Sequence, residues 1–283
     1  MGNESEVEQE ITEIMEKYPQ AFRKMRGVTS HHLADKRGLI LGITNDKSIA
    51  YGCAKVFHLL GAEMAVTYRN EKAERFVRPL AEDMGCPIIM PCDVETPGSM
   101  ETVFERISRE WGGLDFVLHS IASAPKDDLH ARVTDCSREG FLLAMETSCY
   151  SFIQAARLAE PLMQNGGSLL TITYYGSEKV VANYNIMGPV KAALESCVRY
   201  MAAELGPKKI RVNSISPGPI LTRAASGIEH FDELMERAVA GAPEHHLVTI
   251  EDVGSLAGFL VGDRSKSITG DVHYIDGGFH IIG

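Results

Sequence analysis

The sequence predicts an α/β fold, a doubly wound parallel sheet of about seven strands with helices on both faces. Three observations point there. Short apolar runs alternate with helical patterns from Gly38 onward, and parallel strands with right-handed crossovers accommodate such alternation. The runs GLILGI and AEMAVTY are apolar almost throughout rather than at every second residue, as expected of strands covered on both faces. The 283 residues, 45% hydrophobic and 23% charged, suffice to bury the core of one such sheet.

The elements follow in order. GLILGI is the first strand, and a helical pattern runs from Ser48 to Leu60. AEMAVTY is the second strand, followed by the helix EKAERFVRPLAEDMG. IIMPCD is the third, followed by a helix from Ser99 to Trp111. LDFVLHSIA is the fourth, and a long helix covers roughly 137–164. GSLLTITYY is the fifth, with a helix over 184–205. IRVNSIS is the sixth, helical material extends to about 261, and DVHYIDGG closes as the seventh. This is a Rossmann-like arrangement, expected to occupy residues 37–283 as one domain. Residues 1–36 differ. EVEQEITEIMEKY reads as an acidic amphipathic helix with Ile11, Ile14 and Met15 on one face, and RGVTSHHLADKRG reads as linker.

Bulk properties exclude several classes. A net charge of -10 and a pI near 5.5 argue against nucleic-acid binding, whose footprint is basic. The six cysteines form no CxxC pair, so a reduced cytoplasmic protein without disulfide frame or metal site is expected. No apolar run approaches the ~20 residues of a membrane span. The acidic start MGNESEVEQE is not a secretory signal.

Ligands of such sheets bind at the carboxyl ends of the strands. The first strand ends LGITNDKSIAYG, where Gly42 allows a tight turn beside a phosphate. Ser48 can cap the helix starting at Ile49, whose amino-terminal amides favour an anion. In isolation this loop reads equally well as an ordinary strand-to-helix turn. Asp93, at the end of the third strand, can accept from an adenine amino group. Small residues around Ser120, Ile121 and Ala122 let a ribose and nicotinamide lie against the backbone. The second strand ends in Arg69 rather than an acidic residue, and an arginine there can meet a 2′-phosphate.

The stretch TITYYGSEKVVANYNIMGPVK carries Tyr174, Tyr175, Tyr184 and Lys191. Seven helical residues would place Tyr184 and Lys191 on one face, ~10 Å apart along the axis. Pro189 is comfortable only in a helix's first turn, which would put Tyr184 just before the helix. Both side chains could touch one ligand between them; core tyrosine plus surface lysine is the plainer reading of the pair alone.

The motifs GITNDKSIAYG, CDV, HSIASAP, TYYG, the Tyr184–x6–Lys191 pair, RVNSISPGPILTRAASGI and DGGF together resemble the short-chain dehydrogenase/reductase superfamily. Within it they resemble the enoyl-acyl-carrier-protein reductases of bacterial fatty-acid synthesis, over about residues 36–283. Most of the superfamily spaces Tyr and Lys four apart and ends the fifth strand in a catalytic Ser; here Tyr174 stands in that place.

The resemblance implies hydride transfer from NADH to the β-carbon of an acyl-carrier-protein-bound 2-enoyl thioester; Arg69, from its place at the end of the second strand, adds an expected tolerance of NADPH. Negative charge then collects on the thioester oxygen, which calls for a donor. By resemblance Tyr184 is that donor, Lys191 holds the nicotinamide ribose, and Tyr174 lines the site, while Tyr175 packs elsewhere. The cofactor is touched by Gly42, Ser48, Ile49, Asp93, Val94, Ala122, Lys191 and Ile220, and Thr222 reaches its pyrophosphate or amide. A lid near 221–240 covers the acyl chain, with Met187, Ile228 and Phe231 as apolar lining. A homotetramer is also implied. Glu229, Asp232 and Glu233 make this lid acidic where many relatives are basic, so a smaller advantage for carrier-bound substrate is expected.

Overall fold

The computed structural model describes residues 32–222 and 231–282; the acidic N-terminal segment, Ile228 and Glu229 lie outside them. Seven strands form one parallel sheet: β1 (Arg37–Leu41), β2 (Glu63–Tyr68), β3 (Ile88–Pro91), β4 (Phe116–His119), β5 (Gly167–Ile172), β6 (Ile210–Pro217) and β7 (Val272–Ile275). Their order is β3-β2-β1-β4-β5-β6-β7. The chain winds outward from β1 on one side and from β4 on the other, so a crevice opens at the carboxyl ends of these two neighbours.

Side chains alternate across the sheet. Ile40, Phe116 and Leu118 join one core with α1 (Ile49–Leu59), α2 (Glu71–Asp83) and α9 (Ile250–Val261). Leu39, Leu41 and Val117 join the other with α3 (Ser99–Trp111), α6 (Ser151–Ala159) and α7 (Met187–Leu205). Both faces are therefore covered, which explains why the strand sequences are apolar throughout. Phe116 is fully buried and meets Phe57 edge-on at 5.1 Å.

The sheet and its seven strands agree with the sequence reading; several boundaries do not. The fifth strand ends at Ile172, because after Thr173 N donates to Ile215 O at 2.8 Å the chain coils into a tight turn at Tyr175–Ser177. The long helix expected over 137–164 is α5 (Arg138–Met145), a wide turn at Glu146–Tyr150, and α6. A short α4 (Lys126–His130) precedes it, and α8 (Phe231–Gly241) follows the undescribed segment. Among the described residues, no helix is long and apolar enough to cross a membrane.

Candidate active site

The site is built where β1 and β4 part. Ser120 N donates to Leu41 O at 2.9 Å, which holds the two strand ends together. Gly42 follows with φ of 110°, a conformation essentially reserved for glycine. A Cβ there would stand 2.2 Å from Ser120 O. The loop then reaches α1 at Ser48, which occupies the cap position but does not cap. Its hydroxyl donates to Asn45 O at 2.7 Å and accepts from Thr44 N at 3.4 Å. The expected Ser48 cap is thus corrected: the hydroxyl braces the loop, while Tyr51 N and Gly52 N donate to Ser48 O. The amides of Ile49 and Ala50 at the start of α1 face no side-chain cap, as an anion site requires. A crevice that a single Cβ would fill, beside an uncapped helix start, fits a dinucleotide phosphate.

At the next strand ends, Val94 packs on the α3 and α6 side of the core, and Asp93 N donates to Ser99 Oγ at 3.1 Å. Arg69 does not stand free. Its Nε lies 3.1 Å from Asp93 Oδ2 and its Nη2 lies 2.9 Å from Glu95 Oε1. Ile121 contacts one core and Ile220 the other, while Thr222 N donates to Ile220 O at 2.8 Å.

The tyrosines gather at the end of β5. Tyr174 remains extended, and its ring meets Tyr184 edge-on with centroids 4.9 Å apart. Tyr184 sits just before α7, in a turn where Asn183 (φ 62°) and Asn185 (φ 43°) both take left-handed conformations, which asparagine tolerates better than most residues. Asn185 Nδ2 donates to Leu129 O at 2.8 Å, tying this turn to α4. Gly176 gives the Tyr184 ring its room: a Cβ there would lie 2.5 Å from the ring. Tyr184, Met187 and Tyr174 share one apolar cluster with Ala122. Tyr175 turns away and packs edge-on against Phe279 at 5.9 Å. Phe231 is buried at the start of α8 but is not part of the Tyr184 cluster as described.

Electrostatics sharpen the roles. Burial pushes the Tyr184 hydroxyl well above the usual phenol range, with Tyr174 and Glu195 adding to the effect. It is therefore a neutral donor at physiological pH. Burial likewise raises Tyr174. Lys191, on the second turn of α7, is 4% exposed and donates from Nζ to Ile172 O at 2.7 Å. Burial lowers its pKa to about 8, against the opposing pull of Glu195.

This burial has a measurable consequence. An unfolded lysine titrates near ~10.4. Between pH 8 and that value the unfolded chain holds a proton that native Lys191 has released, so native stability rises with pH in this window. The stability of wild type relative to Lys191→Met is expected to increase between pH 7.5 and 10, by about 2 kcal/mol. Urea unfolding of both proteins at the two pH values checks it; equal pH dependence contradicts it.

Several supporting groups escape sequence reasoning. Ser148, on the wide turn after α5, accepts from Ser123 N and donates to Ser123 O, both at 3.0 Å; it fixes the loop carrying Ala122. His119 is fully buried, 3.0 Å from Thr171 Oγ1 and 2.8 Å from Ser151 Oγ. Because Ser151 donates to Thr147 O at 2.7 Å, His119 Nε2 donates to Ser151 and Nδ1 accepts from Thr171. Burial, aided by the Lys191 charge, lowers its pKa to about 3, so it stays neutral. Glu195, one turn beyond Lys191, accepts from Thr173 Oγ1 at 2.5 Å and pins the residue preceding Tyr174. The run of Thr147, Ser148 and Ser151 inside an otherwise helical pattern is the signal that could have revealed the wide turn.

A parallel doubly wound sheet, a glycine cradle at its switch point and a buried Tyr–Lys pair beside it define a nucleotide-dependent reductase of the short-chain dehydrogenase type. The family model described as Enoyl-(Acyl carrier protein) reductase matches residues 42–280. The enoyl-[acyl-carrier-protein] reductase [NADH] of Rickettsia felis is 45% identical over 256 residues, 90% of this chain and 98% of that protein. The Anaplasma phagocytophilum reductase, solved with NAD, aligns with a TM-score of 0.87 at 45% identity, covering 90% of this chain and 97% of that one. The Bacillus cereus enoyl-acyl carrier protein reductase, solved with NADP+ and indole naphthyridinone, aligns at TM-score 0.87 and 42% identity, covering 89% and 99%. The chain belongs to the enoyl-acyl-carrier-protein reductase family.

Proposed function

We propose that the protein reduces the 2,3 double bond of trans-2-enoyl thioesters borne on acyl carrier protein, in fatty-acid elongation, with NADH as reductant. The observation that carries this reading is Tyr174 edge-on to Tyr184 at the end of β5, beside buried Lys191. A tyrosine in place of a serine leaves the site without the short hydroxyl that a carbonyl reductase uses, and adds apolar wall for an acyl chain.

Bound NADH supplies a hydride to the β-carbon. The protein's own groups do the rest. Gly42 and the start of α1 hold the pyrophosphate; Ser48, Ile49, Thr222 and Ile220 flank it. Asp93 and Val94 bracket the adenine, and Ser120, Ile121 and Ala122 back the ribose and nicotinamide. Lys191 has three N–H donors, one of them used on Ile172 O, and the others hold ribose hydroxyls. Tyr184 donates to the thioester oxygen as negative charge gathers there, in a pocket whose low polarity strengthens that bond. Met187, in the Tyr184 cluster, lines the acyl path. Mass spectrometry of the product from crotonyl carrier protein tests the reading: the saturated thioester supports it, and unchanged thioester or a 3-hydroxy product overturns it.

Lys191→Ala is expected to weaken NADH binding at least tenfold while lowering kcat; an unchanged NADH Kd by fluorescence titration contradicts the ribose-holding role. Asp232 and Glu233 are exposed on the first turn of α8 and repel an acidic carrier. Reversing both to lysine should raise kcat/KM for carrier substrate at low salt, and no change there removes the argument. A cytoplasmic homotetramer completes the proposal. For NADPH, the support is Arg69 at the end of β2 and the NADP+ held by the Bacillus cereus relative.

A further inference from the structure

We propose that Glu95, with Asp93, sets the balance between NADH and NADPH by clamping the Arg69 guanidinium; this rests on the reductase reading above. Arg69 directly follows β2, the position that meets the adenosine ribose in a doubly wound sheet. An arginine there recognises a 2′-phosphate best through two parallel N–H donors of its fork. In this chain the Nε–Nη2 edge of that fork is engaged: Nε by Asp93 at 3.1 Å and Nη2 by Glu95 at 2.9 Å. Glu95 is itself held in place. Its backbone N donates to Asp93 Oδ1 at 3.2 Å, and Thr147 Oγ1 approaches its Oε1 at 3.4 Å. The cluster carries two negative charges and one positive. A 2′-phosphate, at roughly -1.5 to -2 near neutral pH, enters against net negative charge and competes with two carboxylates for Arg69. NADH brings no such group.

Asp93 also serves the adenine, so Glu95 is the member whose charge can be removed while the shape is kept. In Glu95→Gln the amide oxygen still accepts from Arg69 and Thr147, but the cluster becomes neutral. The Kd of the apoprotein for NADH and for NADPH is measured by nicotinamide fluorescence, with adenosine 2′,5′-bisphosphate and adenosine 5′-monophosphate as competitors. Glu95→Gln is expected to shift the affinity ratio toward NADPH by about tenfold, equivalent to ~1.4 kcal/mol, and to favour the bisphosphate similarly. Glu95→Ala should shift it in the same direction. In the double variant Arg69→Gln/Glu95→Gln the gain should vanish. A shift of less than threefold in both Glu95 variants, with both dinucleotides still bound, overturns the clamp. A gain that survives in the double variant also overturns it, because Arg69 would not be the group released. Loss of binding of both dinucleotides in wild type would instead overturn the reductase reading.

Discussion

Tyr184→Phe is expected to lower kcat by ~10²–10³-fold, the usual cost of removing a donor aimed at a developing oxyanion. NADH affinity should change by less than about threefold, since the hydroxyl acts on charge that appears only in the transition state. The substitution keeps the ring, and the ring makes the packing contacts: Tyr174 at 4.9 Å and the surface of Gly176. The variant should therefore fold normally. Single-turnover rates with crotonyl carrier protein, alongside NADH titration, separate the two effects. Unimpaired turnover would falsify the role of the hydroxyl.

Gly42→Val should have an effect of comparable size on a different observable. The residue sits at φ of 110°, and any Cβ lies 2.2 Å from the backbone oxygen of Ser120. Neither problem is relieved by a rotamer change, because the clash is with backbone. The strain and the displaced β4 end together should cost about 2–4 kcal/mol of stability. NADH affinity should fall beyond ~10²-fold, because the branched side chain fills the cradle. Urea unfolding and fluorescence titration check both. Wild-type NADH affinity would mean that the crevice between β1 and β4 is not where the pyrophosphate lies, and wild-type stability that the backbone absorbs the Cβ without strain.

Much of this was legible because the sheet writes itself into the chain directly. Continuous apolar runs such as GLILGI imply strands covered on both faces, and their alternation with helices implies a doubly wound parallel sheet; the switch point between β1 and β4 comes from the strand order. Tyr184 and Lys191 stood out by residue type and spacing, and Pro189 limited where α7 could begin. The details that escaped depend on which partner a polar group chooses. Ser48 occupies the cap position in either case; only the loop geometry turns its hydroxyl toward Asn45. Arg69 looked available because its carboxylate partners lie 24 and 26 residues away. The register that aligns Tyr68 with Pro91 is what brings the strand ends together. The left-handed turn around Tyr184, carried by Asn183 and Asn185, went unread in the sequence, and its anchor from Asn185 to Leu129 depends on the folded backbone.

The central claim is that this site delivers hydride to a conjugated carbon–carbon bond and not to a carbonyl. The most direct measurement follows NADH absorbance at one enzyme concentration with crotonyl carrier protein and, in parallel, with acetoacetyl carrier protein. The two substrates share carrier, chain length and thioester, and differ in an alkene against a ketone. Steady NADH oxidation with the crotonyl substrate, and none above background with the acetoacetyl substrate, is the predicted result. Turnover of the acetoacetyl substrate with no oxidation on crotonyl carrier protein would contradict the account, and with it the role given to Tyr174 and Tyr184.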